Sequence, residues 1–300
     1  MFVLLLLQII NSKAPPFGRL RVEGNKIVGE KRAPGMLRGV CLSWHNWWKQ
    51  FYNANTINHL KTDFHANVIR AAIGVDADGG YFDNKDNAYS CLYAAVDAAI
   101  NAGIYAIVDW QTFVIHESDA KQFFTTVATK YKGKSNVIYD IFNEPEAAKW
   151  PEIKAYSISL IGTIRAIDPN AFILVPTPNW DQYVEQAAAD PITEYSNIAY
   201  TIHIYAATHP LSYLDNAREA IKTIPLFGGE IGAMEASGDG ALDVTKYNTW
   251  ISFYEENSIP YLCWAVQSKQ ETCSILKPSE DWNDLTEWGK LCKSTITAHQ

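Results

Sequence analysis

The stretch Val137-Ile138-Tyr139-Asp140-Ile141-Phe142-Asn143-Glu144-Pro145 decides how the chain is read. Six residues of β-prone, mostly apolar character run into Asn-Glu-Pro, and such a run reads as a buried parallel strand. Pro145 has no N–H to give to a ladder, so the strand must stop there. The chain therefore turns where a carboxylate, Glu144, emerges at the strand's C-terminal end. In a (β/α)8 barrel that end is the catalytic face. A carboxylic acid held there beside an amide is suited to protonating a leaving group, with Asn143 left to hydrogen-bond a hydroxyl. An ordinary strand end followed by an exposed glutamate accounts for the tripeptide equally well, so the reading requires a second carboxylate on another strand end.

Working outward from this stretch, apolar runs predict strands at residues 37–43, 66–74, 104–110, 172–176, 198–205, 225–230 and 260–266. Between them, helical spacing predicts helices at 56–63, 88–102, 118–131, 151–167, 180–189, 211–223, 243–257 and 284–292. Gly103 stands in a stop position, Ser118 is the expected cap of its helix, and Pro151 opens another at the first turn. Eight strands alternating with eight helices predict an α/β fold, and eight is the number that closes as a (β/α)8 barrel. An open doubly wound sheet is the alternative, but its Gly-rich fingerprint is missing. Ahead of the first barrel strand, residues 18–28 alternate about Gly24-Asn25 and predict a short β-hairpin, expected to plug the bottom of the barrel.

Residues 1–10 form one apolar burst, too short for the roughly 20 residues that span a bilayer. With Ser12-Lys13-Ala14 behind it, it fits a signal peptide over residues 1–14, although no positive residue precedes it. The expectation is a secreted, extracellular protein with one domain over 15–300, no membrane association and a monomeric state. Five cysteines allow at most two bridges; Cys273 and Cys292 are a candidate disulfide pair, which sequence cannot fix. A net charge of −8 repels phosphate backbones, so nucleic acid is not an expected partner. Neither paired CxxC nor HExxH is present, so no metal and no cofactor are expected. Ten Trp and sixteen Tyr exceed what packing requires, and flat rings suit the faces of sugar rings; an aromatic-rich core would also account for them.

The predicted strand ends carry a series of polar and aromatic groups: Ser43, Trp44 and His45; Arg70; Trp110 and Gln111; Asn143 and Glu144; His203 and Tyr205; Glu230; Trp264. One such residue is ordinarily just a satisfied strand end, but a run of them is not. Glu144 and Glu230 are the glutamates at these ends, on the fourth and seventh strands. Glycosidic bonds are cleaved between two carboxyl groups, and a separation of about 5 Å makes one the nucleophile and the other the acid and then base, with retention of configuration. Arg70 and Tyr205 are placed to bond the nucleophile and keep it ionised by lowering its pKa, while burial and nearby negative charge would raise that of the acid. His203 would tune the acid, and Trp264 offers a stacking platform.

These residues carry a resemblance to glycoside hydrolase family 5, over almost the whole chain from about Gly18. The motifs are Val68-Ile69-Arg70-Ala71-Ala72, Ile141-Phe142-Asn143-Glu144-Pro145, His203-Ile204-Tyr205-Ala206-Ala207-Thr208-His209, Gly229-Glu230-Ile231-Gly232 and Trp264-Ala265-Val266-Gln267-Ser268-Lys269-Gln270-Glu271. The sequence is most similar to that family's endo-β-1,4-glucanases, and the resemblance implies Glu144 as acid/base and Glu230 as nucleophile. It also implies that His45, Trp48, Trp180, Trp264, Lys269 and Glu271 line the sugar subsites, and that the partner is a β-linked polysaccharide. Three positions depart from the family. Gln111 stands where a histidine is usual, and an amide can hydrogen-bond but cannot carry charge. Gly74-Val75 stand where an aromatic is usual. Gly-Glu-Ile at 229–231 replaces Thr-Glu-Trp or Thr-Glu-Tyr, which is expected to leave room for water around Glu230. A mannanase, a xyloglucan- or mixed-linkage-glucan-cleaving enzyme, and a sugar-binding barrel that has lost turnover are the alternatives.

Overall fold

The computed structural model describes residues 13–299, so the leader expected over 1–14 lies, as far as residue 12, outside the described residues. Two strands, β1 (Arg21–Glu23) and β2 (Lys26–Val28), form the antiparallel hairpin. Eight more follow: β3 (Arg38–Leu42), β4 (Val68–Gly74), β5 (Tyr105–Gln111), β6 (Val137–Asp140), β7 (Phe172–Val175), β8 (Ile198–Tyr205), β9 (Leu226–Gly232) and β10 (Tyr261–Val266). Each pairs in parallel with its sequence neighbour, and β10 pairs with β3 to close the barrel. Every residue of β4 to β10 is buried. That follows from helices covering the outer face and side chains filling the inner one, and it explains the near-continuous apolar runs.

The hairpin covers the N-terminal end of the barrel. Val22 N–H donates to Asn197 Oδ1, the residue before β8, and Arg19 donates to the Gly133 carbonyl below β6. Tyr105 at the start of β5 donates to the Gly18 carbonyl, and Leu20 and Ile27 are buried. The opposite rim is thereby left for loops.

Local differences from the sequence expectations have local causes. β6 stops at Asp140 because the chain beyond it bends towards β5, where Asn143 N–H donates to the Trp110 carbonyl and Glu144 N–H to that of Thr112. Ser118 is not a cap: the helix Glu117–Tyr131 starts before it, with His116 in the cap position. The last helix is Glu287–Ala298, and Thr286 caps it by accepting from Gly289 N–H. The helix expected at 180–189 is divided. Asn179, Trp180 and Asp181 all take left-handed backbone (φ 56°, 53° and 59°), and a short helix resumes at Val184–Ala189. The expected disulfide is corrected too: all five cysteines are free, buried thiols. Cys273 is held by Gln267 Nε2 at 3.2 Å, whereas Cys292 faces Cys263.

One irregularity positions the site. Between β8 and β9 the register runs Ile202 to Gly228 and then His203 to Glu230, so Gly229 is the extra residue of a bulge. Such bulges re-aim the next side chain, here Glu230.

Candidate active site

Arg70 stands in the middle of the barrel and is fully buried. An unpaired buried charge is strongly destabilising, and the guanidinium accordingly faces an oxygen in every direction. Nε donates to Asp140 Oδ2 at 2.9 Å, Nη1 to Glu230 Oε1 at 2.8 Å and to Gln111 Oε1 at 3.3 Å, and Nη2 to Asn143 Oδ1 at 2.7 Å, with Asp109 Oδ1 3.1 Å away. One cation cannot keep Asp109, Asp140 and Glu230 all at ordinary acidity. Burial holds Asp109 well above the usual carboxylate range and pushes Asp140 up to about 6.

Glu230 is bonded on both oxygens, to Arg70 on one and to Tyr205 Oη, 2.6 Å away, on the other. Arg70 and Tyr205 draw its pKa down, as the sequence led one to expect, and so does His203, expected from the sequence to tune the acid instead. Burial, the largest effect, and Glu144 nevertheless leave it raised overall. Glu144 lies across the rim with Oε1 2.8 Å from His203 Nδ1, and burial pushes its pKa up to about 8 against the pull of Arg70. The same His203 Nδ1 is 4.0 Å from Glu230 Oε2. Burial pushes the imidazole down to about 3, so it is neutral.

The room expected around Glu230 is filled by protein. A Cβ on residue 229 would stand 2.4 Å from His203 Nε2, so the missing side chain makes space for the imidazole rather than for water. Behind the ring lies Asp181, fully buried, with Oδ2 3.5 Å from Nε2.

Above this cluster opens a cleft of about 730 Å³. It is lined by Glu144, Glu230, Gln111, Tyr205, Trp48, Trp180, Trp264, Lys269 and Glu271, all singled out from the sequence. Lys269 Nζ and Glu271 Oε1 form an ion pair of 3.0 Å, and Gln267 Nε2 reaches Glu271 Oε2 at 3.3 Å. Arg70, Asn143 and His203 stand one layer behind this lining. His45, expected on the cleft, is corrected: it is fully buried, and its Nδ1 accepts from Gly74 N–H at 3.1 Å. It opens the short helix His45–Trp48 facing inward, while Trp44, Trp47 and Trp48 face the cleft. Trp44 and Trp47 stack with ring centroids 5.1 Å apart, and Phe113 lies 6.0 Å from Trp44. Trp47 and Phe113 went unread in the sequence. The i, i+3 spacing of Trp44 and Trp47 beside a strand end was the available signal.

Glu144, His203 and Glu230 bring one ligand-type atom each within 4.8 Å of one another. Both Glu230 oxygens are already engaged by Arg70 and Tyr205, and Glu144 faces the imidazole. Such an arrangement suits proton transfer and nucleophilic attack better than it suits a cation.

A closed barrel with a buried glutamate and a partly buried one facing each other across its C-terminal rim defines a two-carboxylate (β/α)8 architecture. Comparison with known proteins narrows this. The family model for cellulase (glycosyl hydrolase family 5) matches residues 28–270, and the chain belongs to that family. It is 41% identical over 284 residues to endoglucanase Z of Dickeya dadantii, covering 92% of this chain and 66% of that protein. It is 35% identical to an endoglucanase of Clostridium saccharobutylicum, covering 93% and 65%. The chain thus spans just under two thirds of the length of these curated relatives. Among solved structures, one from Cytophaga hutchinsonii superposes with a TM-score of 0.91 at 36% identity, covering 94% of this chain and 95% of that one. The catalytic domain of Thermobifida fusca endoglucanase Cel5A superposes at 0.89 with 28% identity, covering 94% and 98%, and has also been solved with cellotetraose.

Proposed function

We propose that the chain is a secreted endo-β-1,4-glucanase that hydrolyses internal bonds of cellulose or a related β-glucan with retention of configuration. The observation that carries the reading is the approach of Glu144 and Glu230, one oxygen of each within 4.8 Å of the other. Retaining sites hold their carboxyls about 5–5.5 Å apart, inverting ones farther, to admit a water. Family membership and the cellotetraose bound by the Thermobifida fusca domain support the substrate class.

The chemistry follows from the two environments. Glu144, with its pKa near 8, carries a proton at neutral pH. Glu230, held by Arg70 and Tyr205, offers a carboxylate oxygen to the anomeric carbon. As that C–O bond forms, the bond to the leaving sugar breaks, and Glu144 gives its proton to the departing oxygen. A glycosyl ester on Glu230 remains. Glu144, now a carboxylate, takes a proton from water; the water oxygen bonds to the same carbon and Glu230 is released. Two inversions give net retention. Asn143 Nδ2 is buried just behind the cleft lining and has no protein acceptor, so a substrate hydroxyl that reaches past the lining would satisfy it. The tryptophans of the open cleft supply stacking surface for neighbouring sugars.

The test is reducing-sugar release from carboxymethylcellulose by the wild type, Glu144→Gln and Glu230→Gln. Equal release by all three ends the reading. Proton NMR of the first product should show the β anomer, and an initial α anomer would remove retention. Rates on mannan, xyloglucan and mixed-linkage glucan fix the sugar, and N-terminal sequencing of protein from culture medium tests the leader. A second reading, a sugar-binding barrel without turnover, draws on Gln111, which is buried and turned to Arg70 where the family has an imidazole.

A further inference from the structure

Asp181 belongs to no motif and does not line the cleft, yet the fold goes to some length to bury it behind His203. It is the last of three consecutive left-handed residues, none of them glycine. Such a conformation is unfavourable for L-residues and persists only where the surroundings hold it. What holds it is the carboxylate. Thr177 N–H donates to Oδ1 at 2.6 Å, and the Thr201 hydroxyl lies 2.5 Å from Oδ2. The same turn sets Trp180 on the cleft wall.

His203 meets this carboxylate with its otherwise unpartnered side. Nε2 has no hydrogen-bond partner, and Asp181 Oδ2 is 3.5 Å away. The ring reaches that position only because the bulge residue is Gly229, where a Cβ would come within 2.4 Å of Nε2. Glycine is needed there for space, since its φ is not left-handed. Asp181, His203 and Glu144 therefore stand in line, with the imidazole between two acids. The other titratable or charged groups facing this line are Glu230, Arg70 behind it, and His209 beside the ring; Asp140 faces Asp181.

We infer that Asp181 is a positioning residue for the proton donor: by accepting from His203 Nε2–H it selects the tautomer whose Nδ1 is an acceptor, so that the proton between His203 and Glu144 stays on Glu144. A backbone N–H can only donate, so Thr177 fixes Oδ1 as an acceptor. Burial pushes the Asp181 pKa well up, while the bonds from Thr201 and Thr177 pull it down. The positioning role takes the ionised form, whose Oδ2 then faces the ring as an acceptor. The proton on one imidazole nitrogen is set by the partner of the other. The inference rests on the reading of Glu144 as the acid.

Asp181→Asn is nearly isosteric and reverses the pattern. Thr177 N–H holds the amide oxygen, which turns the NH2 towards Nε2 and moves the imidazole proton to Nδ1, where it donates to an ionised Glu144. Long-range 15N NMR of His203 reads this directly and needs no turnover. The expected result is Nε2–H in the wild type and Nδ1–H in Asp181→Asn. A wild type with the proton on Nδ1, or a tautomer unchanged by the substitution, overturns the inference whether or not the variant folds well. The kinetic arm compares kcat/KM on carboxymethylcellulose with that on 2,4-dinitrophenyl β-cellobioside, whose leaving group departs without a proton. Asp181→Asn should lose roughly 100-fold on the polysaccharide, the low end of what a positioned acid contributes, and stay within about threefold on the aryl glycoside. Equal losses on both, or none on either, overturn it. Wild-type protein inactive on both substrates defeats the glucanase reading instead, while the NMR result still decides whether Asp181 sets the tautomer.

Discussion

Replacing Tyr205 by Phe removes one of the two donors that Glu230 holds and leaves the ring in place. Tyr205 Oη donates to Oε2 at 2.6 Å, while Arg70 Nη1 keeps Oε1 at 2.8 Å. A hydrogen bond to a charged group contributes about 1.5–3 kcal/mol. At about 1.4 kcal/mol per pKa unit, its loss should raise the Glu230 pKa by roughly one to two units. The direction follows from which form is bonded: the phenol donates to the carboxylate and so favours ionisation. Burial already holds this carboxyl above its ordinary value, and the variant moves it further the same way. Since attack requires the ionised form, the acidic limb of kcat/KM against pH should move to higher pH by about one to two units. Below that limb the variant should lose about 10- to 100-fold, and near neutrality less. The assay is a pH profile of kcat/KM on an aryl β-cellobioside for both proteins, with circular dichroism to confirm folding. A uniform drop with the acidic limb unmoved would refute the reasoning.

The basic limb should fall near pH 8, where Glu144 gives up its proton, and it should vanish in Glu144→Gln along with most of the rate. The same group affects stability. Its folded pKa lies above the unfolded 4.5, so between those values the folded state binds more protons and loses stability as pH rises. Thermal melts should show Glu144→Gln equal to the wild type near pH 4, with a Tm advantage that grows to about pH 8 and then levels off; a constant difference would contradict this. Gly229→Ala should destabilise by about 1–3 kcal/mol in urea melts, because the new methyl meets the His203 ring, and wild-type stability would show that the bulge has slack. Gln111→His should change kcat/KM on carboxymethylcellulose by less than about tenfold, because Glu230 keeps both its donors. Turnover appearing only in that variant would establish the sugar-binding reading.

The barrel was legible because buried parallel strands leave continuous apolar runs and Gly or Pro punctuates their ends. Glu144, Glu230 and Tyr205 could be placed at those ends by counting, whereas Arg70, expected at a strand end, is the third of the seven residues of β4 and stands inside the barrel. What counting could not supply was side-chain direction beyond a strand's last residue. His45 follows a strand end as Trp44 does, yet one turns inward and the other to the cleft. The left-handed turn at Asn179, Trp180 and Asp181 has no glycine to announce it, so the segment read as a helix and Asp181 passed unnoticed. Gly229 looked like vacant space because its neighbour across the sheet, His203, lies far away in sequence. Asp109 and Asp140 went unread inside their apolar strands, and only the closed ring shows that both are turned to Arg70. The free cysteines mark the same limit, since Cys273 and Cys292 are near in sequence and face different neighbours.

Arg70 has no donor left over for a substrate, because Asp109, Asp140, Asn143, Gln111 and Glu230 face all three of its nitrogens. Any change to one of those partners must be answered by the others, which ties the reaction's machinery to the barrel's ability to close. The rim loops bearing Trp47, Phe113 and Lys269 are under no such constraint. Over evolutionary time this division would let descendants of the chain exchange one polysaccharide for another by altering the rim alone, while an enzyme that abandoned the central arginine would have to rebuild its interior.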